Sequence, residues 1–233
     1  VRLGDRVTAT FDETRRRPLR QNHTATHLLN LALYQTLCAS EADDIEQRGS
    51  LVAPDKLRFD FNHKEPLTVE QLKKIEGIVN DKIAKNLTVS TRVMPLAVAK
   101  GISGLRAVFG EVYPDPVRVV SVGADLAAVE LEPDNGKWAE ASVELCGGTH
   151  VRKTGDIRAM VILSETAVAK GVRRIVAVTG EGAAEASRIE QDLRVRLSSV
   201  TDDAAIRAIT KDIEAAACSA IKKDELMRQL AHF

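Results

Sequence analysis

Two short segments, His23-Thr24-Ala25-Thr26-His27 and Cys146-Gly147-Gly148-Thr149-His150, constrain this chain more than any other feature. Each carries two metal-ligand side chains four positions apart. On a helix that spacing puts His23 and His27 on one face. In the second segment two glycines supply the backbone freedom for a turn that aims a thiolate and an imidazole at one point. Taken singly, the first is also an ordinary surface or core histidine pair, and the second a buried cysteine beside a glycine turn. Taken together they offer three imidazoles and one thiolate, a donor set that suits Zn2+. His27 and Cys146 are 119 positions apart, so only the fold can join them. Position 24 is Thr where a zinc protease carries its glutamate base, and the H-x-E and P-C-x-x-C segments of zinc nucleobase deaminases are missing. Peptidase and deaminase chemistry are excluded.

The pattern around these segments predicts an α+β fold, a sheet with helices to one side. Residues 1 to 12 read as one or two short strands, and Arg15-Arg16-Arg17-Pro18-Leu19-Arg20 as a basic linker broken by proline. Asn22 is the expected N-cap of a helix running to about Leu37. Leu57 to Phe61 alternates as a strand. Thr68 and Gln71 form a capping-box pattern ahead of an amphipathic helix ending near Lys85. Runs rich in valine and isoleucine predict strands over Thr88 to Met94, Val117 to Val122, Ile157 to Leu163 and Val172 to Val178, with Leu126 to Leu131 a weaker fifth. Beyond Gly180 the chain turns rich in Ala, Glu, Arg and Lys, which predicts one or two appended helices.

With 44% hydrophobic and 28% charged residues in 233, the chain can bury a sizeable core. No apolar run approaches the roughly twenty residues needed to span a bilayer, and no signal peptide is visible, so no membrane partner is expected. Three widely spaced cysteines argue for a reducing compartment rather than a disulfide framework. The 33 basic and 33 acidic residues give no global field for nucleic acid, so any such binding rests on local clusters. Arg15, Arg16, Arg17, Arg20, Arg173 and Arg174 are the candidates. Each also reads as an ordinary solvated charge. His63 and His232 read as ordinary polar residues. The chain opens on Val1 and a strand-like run, which suggests a fragment.

Asn22 to Leu29, Gln47-Arg-Gly-Ser-Leu-Val52, Leu57 to Phe61, Glu144-Leu-Cys-Gly-Gly-Thr-His150 and Gly171-Val-Arg-Arg-Ile175 stand in an order that resembles the editing domains of alanyl-tRNA synthetases. Arg15-Arg-Arg-Pro-Leu19, Gly49 to Pro54 and Val112 to Ser121 resemble the eukaryotic branch most. Cys38 departs from the usual helix-ending Gly. The resemblance implies a sheet-based, zinc-containing editing domain over 21–180, preceded by a β-barrel remnant and basic linker over 1–20 and followed by a helical extension over 181–233. It implies His23, His27, Cys146 and His150 as zinc ligands, and hydrolysis of tRNA(Ala) carrying serine or glycine. It also implies work beside the other domains of a full-length synthetase, in the cytoplasm and compatibly with a mitochondrial pool. The alanine-activating module lies outside these residues.

The implied reaction is attack of water on an aminoacyl ester. Four protein ligands usually close a structural zinc site, whereas catalytic zinc keeps one position open, so one ligand is loose or the metal mainly positions substrate. No carboxylate base is evident beside the motif. Thr24, Gln47 and Ser50 are therefore the expected groups for positioning substrate or water, against the plainer readings of a local hydrogen bond for Thr24 and a loop residue for Gln47. Polar groups that require the serine hydroxyl discriminate against alanine better than an apolar pocket can.

Overall fold

In the computed structural model, residues 2–38, 45–108 and 110–231 are described; His232 lies outside them. The first helix, α1 (Glu13–Leu37), starts nine residues before Asn22, because Asp12 caps it by accepting the Arg15 amide at 3.2 Å and Glu13 adds an acidic first turn. The basic stretch expected as a linker is thus helical. Pro18 sits inside the helix and does not end it. Asn22, expected as the N-cap, is a buried clasp instead: its amide donates to Ala53 O at 2.7 Å and its carbonyl accepts from the Thr179 hydroxyl at 2.7 Å. No strand forms over residues 2–12, so the expected barrel remnant has no strands among the described residues.

The strands form two sheets rather than one. The first has the order β1 (Gln47–Val52), β2 (Leu57–Asn62), β8 (Val172–Thr179), β7 (Met160–Ala169), antiparallel throughout. The second has the order β3 (Val89–Met94), β5 (Val117–Val122), β6 (Ser142–Leu145), β4 (Leu105–Arg106). Against the first sheet pack α1 and α2 (Val69–Ala84), joining Leu28, Leu29, Phe59, Phe61, Ile75, Val79 and Ile175 in the main core. The predicted capping box at Thr68 and Gln71 is present. A second core around Val119, Val129, Trp138 and Val143 lies on the second sheet.

Leu126–Leu131, expected as a strand, is a short helix, α4. Asp125 caps it by accepting from the Ala127 amide at 3.0 Å, and Leu126 and Val129 bury one helical face. A second short helix, α3, spans Leu96–Lys100. The strand expected from Ile157 begins at Met160, because Thr154–Ile157 is a tight 3-10 turn pinned by the Thr154 hydroxyl to Lys82 O and the Leu87 amide. The C-terminal region holds three helices rather than one or two: α5 (Gly180–Ser198), α6 (Asp203–Ala215) and α7 (Ala220–Leu230). They share a small core around Leu193, Ile213 and Leu226, and Ile221 reaches into the main core.

Candidate metal centre and its cavity

The helical i, i+4 spacing of α1 presents His23 and His27 toward the end of β6, where the chain leaves the second sheet at Cys146. There His23, His27, Cys146 and His150 come together, one ligand atom from each lying within 4.8 Å of the others. The Cys146 sulfur is 3.3 Å from His23 Nε2 and 3.6 Å from His150 Nε2. Around a zinc ion, with bonds of roughly 2.0–2.3 Å, donor atoms stand about 3.3–3.8 Å apart. Nε2 of His27 is buried without a hydrogen bond, an orphan that a metal would satisfy. The donor set and the two sulfur–nitrogen separations fit one zinc ion, with the four donor atoms drawn slightly closer on binding.

The supporting contacts come from distant residues. Nδ1 of His27 is hydrogen-bonded to Glu144 on β6, whose other carboxylate oxygen takes Asn30 Nδ2 at 3.2 Å and the Ser142 hydroxyl at 3.3 Å. Thr24 is fully buried, and its hydroxyl donates to Arg20 O at 3.0 Å. Its lone pairs therefore accept from the Val151 amide at 3.2 Å and from His150 Nδ1 at 3.3 Å, which leaves His150 Nε2 free as a ligand atom. Arg118 braces the Cys146 turn by donating to Cys146 O at 2.7 Å and Gly148 O at 2.8 Å. Neither glycine of that turn has a positive φ. The bare Gly148 leaves room for the His23 ring where it stands, since a Cβ there would displace it.

The electrostatics follow from this packing. Burial opposes charge on His27, but Glu144 and Cys146 outweigh it and raise the imidazole above its ordinary value. Burial likewise opposes the Cys146 thiolate, but the imidazoles crowded around the sulfur, His150 and His23 within contact distance and His27 beside them, pull the thiol well below its ordinary value. His150 is lowered, chiefly by burial. The Cys146 thiolate and the neutral His150 imidazole are already in the state that metal ligation requires, whereas His27, held protonated by Glu144, would release its proton on binding a metal.

A cavity of about 400 Å³ opens beside the cluster, with His23, His27 and Cys146 in its wall. Gln47 and Ser50 line it from β1, and Gln47 Nε2 donates to Ser50 Oγ at 3.0 Å. Gln47 is thus a strand residue, not a loop residue. Thr24 lies behind His150 rather than in the cavity wall. Glu144, Arg106 and Arg118 also line the cavity, and none was singled out from the sequence. Glu144 stands two residues before Cys146, inside the motif quoted above, but both its carboxylate oxygens are engaged, by His27, Asn30 and Ser142, so it orients the cluster and is not a free base. Arg106 is a half-buried cation over the Tyr34 ring, with its Nε unpaired, and no local signal marks it.

The candidate tRNA-binding arginines separate into two groups. Arg173 pairs in bidentate fashion with Glu165 at 2.5 and 2.6 Å, and Arg174 with Asp60 at 2.7 and 2.8 Å, so both guanidinium groups are engaged within the first sheet. On α1, Arg20 pairs with Glu13, Arg16 lies over the Phe11 ring, and Arg15 and Arg17 are exposed. His63 stacks beside Phe61.

The family model for the threonyl and alanyl tRNA synthetase second additional domain matches residues 117–176, which include β5, β6, the Cys146 turn, β7 and most of β8. Among curated relatives, the chain is 54% identical over 195 residues to the mitochondrial alanine–tRNA ligase of Saccharomyces cerevisiae, covering 84% of this chain and 19% of that protein. It is 43% identical over 236 residues to the alanine–tRNA ligase of Schizosaccharomyces pombe, covering 98% and 24%. To the cytoplasmic alanine–tRNA ligase of Drosophila melanogaster it is 43% identical over 245 residues, covering 99% and 25%. The chain thus spans about a fifth to a quarter of the length of the relatives it matches. A match over most or nearly all of its residues, with the domain model falling on strands of both sheets and the Cys146 turn between them, places this chain in the alanyl-tRNA synthetase family, as a segment containing the second additional domain.

Proposed function

We propose that this chain hydrolyses the ester of tRNA(Ala) mischarged with serine or glycine, using a zinc ion held by the His23, His27, Cys146 and His150 cluster. The observation that carries the reading is the shared cavity, which puts three of these side chains in one wall with Gln47 and Ser50. Bound zinc supplies Lewis-acid polarisation of an ester carbonyl or lowers the pKa of a bound water. The chain's own residues do the rest. Gln47 and Ser50 offer amide and hydroxyl groups to a serine hydroxyl or to the attacking water, and a site built on such groups disfavours alanine. Glu144 keeps the His27 ring in place, and Arg118 holds the Cys146 turn. The exposed arginines of α1 suit the phosphate backbone, a contact that positions RNA without reading its sequence. The other domains of a full-length synthetase would supply further tRNA affinity.

The test is release of amino acid from Ser-tRNA(Ala), Gly-tRNA(Ala), Ala-tRNA(Ala) and Ser-tRNA(Thr), with zinc content and circular dichroism on the same preparations. The first two are expected to be hydrolysed at least about tenfold faster than Ala-tRNA(Ala). Cys146→Ala is expected to abolish hydrolysis and leave the fold largely intact, because the two sheet cores do not depend on the metal. Unfolding of Cys146→Ala, with no hydrolysis by the unaltered chain, would instead make the zinc a structural staple in a tRNA-binding module.

A further inference from the structure

The four cluster residues differ in how they are supported. His27 is backed at Nδ1 by Glu144, and His150 at Nδ1 by Thr24. Cys146 is fixed through its main chain: its amide donates to Arg118 O at 3.1 Å, Arg118 grips its carbonyl, and the Gly148 amide donates to its sulfur at 3.4 Å. His23 has no such support. Its Nε2 faces the sulfur and its ring lies against Gly148, but its Nδ1 makes no hydrogen bond among the described residues. Of the two histidines nearest the sulfur, only His23 is also in the wall of the cavity.

We infer that His23 is the replaceable member of the cluster: Cys146, His27 and His150 hold the metal, and the position of His23 is the one that yields to an oxygen or nitrogen donor entering from the cavity. The inference rests on the metal reading above and answers its difficulty, that four fixed ligands close a site which hydrolysis needs open. A partner on the second ring nitrogen fixes the tautomer and orientation of a ligating histidine and raises its basicity. His27 and His150 have that partner, buried and braced in turn. A ring without it is the weaker ligand and the easier one to rotate away. Thr24 sharpens the contrast: it is the next residue to His23 on α1, yet its hydroxyl serves His150.

The test measures metal binding alone, by competition of zinc with a chromophoric chelator and by the absorption spectrum of the Co2+-loaded chain. His23→Ala is expected to keep one metal per chain with an affinity loss below about tenfold, and its Co2+ spectrum is expected to change on adding imidazole. His27→Ala and His150→Ala are expected to lose about 100-fold or more, and Thr24→Val about 10- to 100-fold. The inference is overturned if His23→Ala loses as much affinity as His27→Ala, or if its spectrum ignores imidazole. Should circular dichroism show His23→Ala unfolded, His23→Gln is judged by the same two criteria. An unaltered chain that takes up neither metal overturns the metal reading together with this inference. Equal dependence on all four residues in a chain that does bind metal overturns only the inference.

Discussion

Glu144 and His27 meet through Nδ1 across 117 positions of sequence, in a contact that turns His27 Nε2 toward Cys146 and His150. Both side chains are buried, so the contact is shielded from solvent. Glu144→Gln keeps the shape of the side chain but weakens the acceptor. Zinc affinity is expected to fall about 10- to 100-fold, with circular dichroism unchanged. A chelator competition giving the unaltered value would show that the carboxylate does not orient the ring.

Gln47 stands in the cavity wall but outside the cluster. Gln47→Ala is therefore expected to slow hydrolysis of Ser-tRNA(Ala) about 10- to 100-fold by loss of orientation, while zinc content stays at one per chain. Full activity would remove Gln47 from the mechanism. Loss of zinc would mean that β1 supports the cluster.

Arg173 and Arg17 should separate stability from RNA binding. Arg173 and Glu165 are buried together, so Arg173→Ala strands a carboxylate. Discounted for partial solvent screening, the cost is about 2 kcal/mol, a fall in Tm of roughly 4–8 °C. Arg17→Ala should leave Tm unchanged and flatten the salt dependence of tRNA binding by about one phosphate contact. Thermal melts and binding at several salt concentrations check both, and the opposite pattern would return the RNA interface to β8.

Glu76 on α2 accepts the Ile162 amide at 2.7 Å, and its pKa is raised by burial, which outweighs that hydrogen bond and the attraction of Lys222. A folded-state pKa above the unfolded value means that this group's stabilising contribution is complete below the unfolded pKa. It is lost as pH rises through the folded one. Glu76→Gln retains an acceptor for Ile162 and removes the buried charge. Stability at pH 7 is expected to rise by on the order of 1 kcal/mol, with little gain near pH 4. Denaturant unfolding at the two pH values checks this, and an equal gain at both would place the effect in packing.

The residues alone were enough for the elements whose signals are local. The capping box of α2, the β5 run and the pairing of both ligand segments follow from spacing of two, three or four positions, which backbone geometry converts directly into a shared face. The same locality misled at Leu126–Leu131 and at Asn22. A cap at Asp125 outweighed a short apolar run, and Asp12 began the helix earlier. Tertiary structure decided the rest. The split into two sheets, the three-helix C-terminal region, the placing of Thr24 behind His150, and the meeting of Glu144 with His27 and of Arg173 with Glu165 depend on which surfaces pack together. Periodicity carries no information about that choice. Residue types showed that a metal can be held, but only the fold distinguished the braced histidines from the unbraced one, because a ring's second hydrogen bond comes from a residue far away in the chain.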